Sequence, residues 1–255
     1  MREHWSVIRL LIRRKMPKAL LVLLLMLGVG FVGRYFWGPQ LDQDYRGGTW
    51  PFEQGILLYF LAFLFVLGLA GMVMACVSGP GKKSKTQYTF RRLQVSETSI
   101  FVWDMVINFF FFLVLWGGTV LVVALSAKYY MSMEGYREGT LGAVVSIISD
   151  NRLFRGLVPV RNPLGAAHMI LLAGCFGVTC SCLSYALQET RVSAFGICGG
   201  LLLGFLVPLV QVGSTDVWGE TRSIISMMVR TAIAAALTTV YAVQTAKRIV
   251  RKEEA

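Results

Sequence analysis

The chain has 255 residues, of which 55% are hydrophobic and only 15% are charged. A soluble domain keeps about 25% of its residues charged, so this chain has too little polar surface to cover its apolar residues in water. A net charge of +11 would indicate nucleic acid on a soluble protein. Here the basic residues stand beside long apolar runs, and orientation in a membrane explains them better. We therefore expect an integral membrane protein with no nucleic-acid partner.

Residues 1–17 predict an amphipathic helix at the membrane surface. Apolar side chains recur at helical spacing on one face, and polar or basic side chains occupy the other. The apolar face holds Met1, Trp5, Ile8, Leu11, Ile12 and Met16, and the polar face holds Arg2, Glu3, Ser6, Arg9 and Arg13. Pro17 is expected to break this helix and turn the chain into the bilayer. The alternative is that the segment simply extends the first span.

Residues 18–255 predict an all-α, polytopic bundle. About 20 apolar residues cross the hydrocarbon core as a helix, and runs that are apolar all round fit helices rather than alternating barrel strands. This length criterion predicts six spans, at 19–37, 55–77, 101–128, 164–187, 193–212 and 223–246. Recurrent glycines predict close helix packing, and they include Gly28, Gly30, Gly68, Gly71, Gly117 and a GxxxG repeat over 196–204. All five cysteines fall inside these spans and are interpreted as small packing residues rather than a disulfide frame.

The distribution of Lys and Arg predicts the orientation. Basic residues concentrate in the N-terminal segment, in the loop 78–100 and after the last span, so the positive-inside rule places both termini and this loop in the cytoplasm. The longest outer connection, 129–163, carries apolar residues around Pro159 and Pro163. It predicts short helices on the outer membrane face, either as a structural cap or as a lid over a cavity between the spans.

Sequence signatures of catalysis are missing from the chain. There is no GxxxxGK[ST], no HExxH and no GxSxG, and the only histidines are His4 and His168. We therefore expect no enzyme and no catalytic, cofactor-binding or metal-binding residue on this chain.

A few polar residues within the spans are candidates for a polar pathway, because burial of such groups in a membrane is costly. They are Asp104, Asn108, His168 and Arg230. Asp104 and Asn108 are one helical turn apart near the cytoplasmic end of the third span. The alternative is that Asp104 forms a cap or an ion pair at the interface, and that Arg230 extends outward to the membrane surface.

The loop 78–100 is the most informative stretch. Gly79, Pro80 and Gly81 predict the end of the second span, and Ser96 predicts the cap of the third, with Glu97 in its first turn. Between them, a basic tether leads to a short predicted helix over 86–93. Its aromatic, aliphatic and arginine side chains are typical of a docking surface, and they are Tyr88, Phe90, Arg91, Arg92 and Leu93.

The stretch from Thr89 to Ile100 resembles the "T…LR.LPVSR..I" pattern of permease subunits of type 2 ABC exporters. That family has six spans, an N-terminal elbow helix, matched here by 1–17, and a coupling helix between spans two and three. Two departures are that Gln94 stands where the family has Pro, and that the longest outer segment follows span three rather than span five.

The resemblance implies a partner subunit of the ATP-binding cassette type that carries ATP and Mg²⁺, docked on Tyr88, Phe90, Arg91, Arg92 and Leu93. It also implies a second permease chain, identical or paralogous, and a prokaryotic plasma membrane. The alternatives are a membrane anchor or sensor that docks a cytoplasmic partner without transport, a solute carrier working alone, and an intramembrane enzyme. The transported substrate stays open.

Overall fold

The computed structural model describes residues 2–44, 56–77, 95–133, 163–188 and 217–253. Within these ranges every element is an α-helix and no strand occurs. The helices are α1 (Arg2–Asp44), α2 (Ile56–Val77), α3 (Glu97–Met133), α4 (Pro163–Gln188) and α5 (Val217–Glu253). The prediction of an all-helical chain is confirmed for this part of the sequence.

Five of the six predicted spans lie within described helices, apart from residue 55, and they are 19–37, 55–77, 101–128, 164–187 and 223–246. The span at 193–212 lies outside the described residues. By length and composition, Glu97–Leu125 in α3 and Ala166–Ala186 in α4 are long and apolar enough to cross a membrane, while Phe63–Val77 in α2 is a shorter apolar stretch. The count of six spans stays a prediction.

Several predicted boundaries shift. Residues 97–100 of the loop 78–100 form the first turn of α3, and residues 129–133 of the outer segment form its last turn. Pro163 begins α4, where its missing N–H costs nothing because the first helical N–H groups have no partner inside the helix. Residues 134–162 of the predicted outer cap lie outside the described part of the chain.

The predicted break at Pro17 is wrong, because α1 runs through it as one helix. A proline inside a helix removes one backbone hydrogen bond, at a cost of about 3 kcal/mol. Packing on both sides of Pro17 holds the axis: Val7 and Leu11 are buried against α3, and Ala19 and Met26 are buried in the main core. Leu11 of the predicted apolar face thus packs into the bundle, whereas Trp5, Ile12 and Met16 are exposed.

The core lies between α1, α2, α3 and α4, and the most extensive helix contact joins α3 to α4. Phe112 of α3 stacks on Phe176 of α4, with ring centroids 5.3 Å apart. Two of the glycines in the predicted packing positions permit close approach: a Cβ on Gly68 would lie 2.9 Å from the Met26 sulfur, and one on Gly30 would lie 3.0 Å from Val122.

The beginnings of α1 and α3 and the ends of α4 and α5 meet at one end of the bundle. Val7 of α1 is in one cluster with Ile100 and Trp103 of α3. Ile249 of α5 is in another with Phe101 of α3 and Leu183 of α4. We call this the basic end, because it carries several exposed cations, among them Arg9, Arg13, Lys247 and Arg251.

Candidate functional site

The predicted docking residues Tyr88, Phe90, Arg91, Arg92 and Leu93 lie outside the described residues, but the two chain ends that flank the segment 78–94 are described. At the C-terminal end of this segment, Ser96 caps α3 as predicted. Its Oγ accepts a hydrogen bond from the backbone N–H of Ser99 at 3.2 Å, and its carbonyl accepts one from Ile100 N–H at 3.2 Å. A side chain that caps a helix in this way fixes where the helix begins.

At the N-terminal end of this segment, α4 contacts the last turn of α2. The Ser184 hydroxyl donates most closely to the carbonyl oxygen of Cys180 in its own helix, at 2.8 Å, and also lies 3.1 Å from the carbonyl oxygen of Val77 and 3.3 Å from that of Cys76. These carbonyls are at the C-terminus of α2, where the helix itself supplies no N–H partner. Ser184 therefore contacts α2 at the point at which the chain leaves it.

The start of α3 is also packed against the first turns of α1. Val7, Leu11 and Ile107 are buried together, with Val95 and Ile100 packed against them. The predicted elbow segment thus contacts the residues that directly follow the predicted docking segment.

Two of the predicted pathway residues, Asp104 and Asn108, form a buried polar cluster with a lysine of α1. The Lys15 ammonium donates to Asp104 Oδ1 at 2.5 Å and to Asn108 Oδ1 at 2.8 Å. The side chains of Lys15 and Asp104 are only 3% and 14% exposed, and Asn108 is fully buried. This is the ion pair that one of the two interpretations of Asp104 predicted.

Helix α4 completes the cluster through Ser181. The Asn108 amide donates to Ser181 Oγ at 2.8 Å, and the Ser181 hydroxyl lies 3.0 Å from Asp104 Oδ2. The Asn108 amide is also 3.3 Å from Asp104 Oδ2. We call Lys15, Asp104, Asn108 and Ser181 the polar clamp, because it joins α1, α3 and α4.

A glycine makes the α3–α4 side of the clamp possible. A Cβ on Gly177 would lie 2.7 Å from the backbone nitrogen of Phe109 and 3.2 Å from the carbonyl carbon of Asn108. Real Cβ atoms do not approach a backbone so closely, so only glycine lets the two helices touch here. Gly177 lies one turn before Ser181, which brings Ser181 within reach of Asn108.

The charges of the clamp compensate each other inside the protein. Burial of an isolated charge is costly, and a buried pair is tolerated when its geometry is good and its remaining polar atoms are hydrogen-bonded, as in the clamp. A second cation, Arg14, is half-buried nearby. Burial lowers the pKa of the Arg14 guanidinium, while the negative charge of Asp104 acts in the opposite direction.

The other two predicted pathway residues are not part of the clamp. His168 is buried near the start of α4, thirteen positions before Ser181, which corresponds to about 20 Å along the helix. Arg230 lies within α5, and its side chain is outside the described set.

Lys15, Ser181 and Gly177 are the residues that sequence reasoning missed. In the sequence, Lys15 is one of several basic residues of the N-terminal segment that predict the orientation of the chain. The signal that could have identified it is its spacing: Val7, Leu11, Lys15 and Ala19 recur every four residues, and all four are buried. A lysine in an otherwise apolar stripe needs a carboxylate partner, and Asp104 is the acidic residue in the third predicted span.

The groups of the clamp are paired with one another. The Lys15 ammonium is bound to a carboxylate, and the carboxylate beside the Ser181 hydroxyl is the one already paired with Lys15. Among the described residues, no three His, Cys, Asp or Glu side chains are grouped so that they could hold a metal ion. Cys76, Cys175, Cys180 and Cys182 are buried thiols without disulfides, as the packing interpretation predicted.

Comparisons of the chain with protein-family models, with curated proteins and with solved structures find no match.

Proposed function

We propose that this chain is the permease subunit of an ATP-driven exporter of the ABC type, with six spans in the plasma membrane and both termini in the cytoplasm. Two such chains, identical or paralogous, would pair around a translocation pathway. Each would bind an ATP-binding cassette subunit that carries ATP and Mg²⁺. The docking contact is assigned to Tyr88, Phe90, Arg91, Arg92 and Leu93.

The observation that supports this proposal best is the anchoring of both ends of the segment 78–94. Ser184 contacts the end of α2, and the Ser96 cap together with the packing of Val95 holds the start of α3. A basic and aromatic segment between two fixed helix ends transmits a force that is applied to it, whereas a segment on loose ends absorbs the force in its own flexibility. The resemblance of residues 89–100 to a coupling helix concerns this same segment.

The polar clamp provides the next step of the proposed mechanism. A displacement of the start of α3 must either carry Lys15 and Ser181 with it or separate the ion pair. Leaving one buried charge of such a pair without its partner costs about 3–5 kcal/mol. Helices α1, α3 and α4 therefore move together at this level when the motor subunit pushes on the docking segment.

The test introduces two carboxylates into the docking segment. In the variant Phe90→Asp/Arg91→Asp we expect loss of a copurifying ATPase, detected by photolabelling with an azido-ATP analogue, and loss of ATP-driven transport. The matched control is Lys83→Asp/Lys85→Asp, which makes a similar change of charge in the basic tether of the same loop. If the first variant keeps the ATPase, the docking assignment is wrong.

The alternative of a non-transporting anchor or sensor is favoured by one observation, the closed packing of the clamp, in which each described polar side chain is bound to another. An anchor needs no polar cavity between its helices. Reconstituted vesicles distinguish the two functions, because an anchor binds its cytoplasmic partner without ATP-dependent movement of any amphiphilic solute across the bilayer.

A further inference from the structure

The exposed face of α1 changes from apolar to basic along a single stripe. Leu24, Leu20, Met16 and Ile12 are exposed and follow one another at intervals of four residues, so they lie on one side of the helix. Toward the N-terminus the same stripe continues with the exposed Arg9 and then Trp5, which is 71% exposed, and Arg13 stands next to Ile12. Apolar side chains and cations thus meet on one surface.

Helix α5 shows the same change in the opposite chain direction. Its stripe of exposed apolar residues recurs every three or four positions and consists of Val229, Ile233, Leu237, Val240 and Val243. Four residues after Val243 the stripe continues with the exposed Lys247, and four residues later with the exposed Arg251.

The two changes occur at the same height in the bundle. Lys15, two residues from Arg13, is bonded to Asp104 of α3. Ile249, two residues from Lys247, is packed in one cluster with Phe101 of α3. Because residues 101 and 104 of a helix are about 4.5 Å apart along its axis, the cations of α1 and α5 lie at one level.

A surface of this kind fits one class of ligand. Its apolar part matches acyl chains, its cations match phosphate oxygens, and an exposed tryptophan near the boundary is typical of a membrane interface. A soluble acidic protein or a nucleic acid would contact the cations but would leave the apolar stripes uncovered. The continuity of the stripes across the boundary therefore favours a molecule that is itself anionic at one end and apolar at the other.

We propose that Arg9, Arg13, Lys247 and Arg251 form a binding surface for the headgroups of anionic phospholipids at the basic end of the bundle. This surface depends on the membrane placement in the proposed function but not on transport. Each cation near an anionic membrane surface contributes about fivefold to lipid association. The lipid shell of this leaflet is therefore enriched in anionic lipid.

The experiment uses the full chain reconstituted in phosphatidylcholine bilayers that contain a trace of spin-labelled phosphatidylglycerol or phosphatidylcholine. The fraction of motionally restricted label reports the lipid that contacts the protein. We expect phosphatidylglycerol to be restricted in preference to phosphatidylcholine, and this preference to weaken at high salt, where charges are screened within about 3 Å.

In the variant Arg9→Gln/Arg13→Gln/Lys247→Gln/Arg251→Gln we expect the preference to be lost, while restriction of phosphatidylcholine is retained and shows that the variant is still inserted. The control Lys128→Gln removes an exposed cation of α3, about 36 Å along the helix from Asp104, and keeps the preference. The proposal is overturned if the preference survives in the quadruple variant or if the control loses it equally. It is also overturned if soluble glycerophosphoglycerol displaces the restricted phosphatidylglycerol.

The same measurement separates this proposal from the proposed function. Absence of any restricted phosphatidylcholine would contradict membrane insertion and hence both proposals. Failure of the ATPase to copurify contradicts the exporter alone and leaves the lipid preference unaffected.

Discussion

The polar clamp leads to a quantitative prediction about charge pairing. Asp104→Asn leaves the Lys15 ammonium buried without a carboxylate, and the expected loss of stability is about 3–5 kcal/mol. Lys15→Met removes the cation instead. The Asp104 carboxylate that remains is more exposed than Lys15 and keeps its bonds from Asn108 and Ser181. The loss of stability in Lys15→Met therefore lies at the lower end of that range.

The double variant Lys15→Met/Asp104→Asn removes both charges together. The double variant no longer carries the unpaired buried charge that each single variant leaves, so we expect it to be more stable than the sum of the single losses implies, by about 2–3 kcal/mol. The assay is denaturant titration in detergent, followed by far-ultraviolet circular dichroism.

The matched control is Lys18→Met, which removes an exposed cation of α1 three residues from Lys15 and should change stability by no more than about 0.5 kcal/mol. The reasoning is refuted if Asp104→Asn costs no more than this control. It is also refuted if the losses of the two single variants simply add in the double variant.

Two further predictions concern packing at the α3–α4 contact. Gly177→Ala places a Cβ 2.7 Å from the backbone nitrogen of Phe109 and should destabilise the protein by about 1–3 kcal/mol. Gly117→Ala, where nothing lies within 4 Å, should instead stabilise α3 by up to about 1 kcal/mol. If thermal unfolding shows stability changes of the same sign in both glycine variants, the close approach at Gly177 is contradicted. Phe112→Ala, in the buried stack, should cost about 3–5 kcal/mol, whereas Phe110→Ala, at a position 57% exposed, should cost far less in the same assay.

Local sequence signals were sufficient to predict the positions of the described helices and the start of α3. The apolar runs predicted where the described helices lie, because a run that is apolar over many turns favours a helix wherever it is buried. Ser96 was identified as a cap from its position just before an apolar run, and capping depends only on atoms within one turn. Asp104 and Asn108 were identified as one candidate pair because residues four apart share a helix face.

The tertiary structure alone decided what these residues contact. Lys15 and Asp104 are 89 positions apart in the chain, so no periodicity connects them, and the basic residues around Lys15 gave it the appearance of an orientation signal. Gly177 resembled any other glycine of an apolar helix until the backbone of α3 was found against it. Pro17 stays inside α1 because packing on both of its sides outweighs one lost hydrogen bond. These contacts join α1 to residues that are distant in the chain, so the local tendency of proline to break a helix did not predict the outcome.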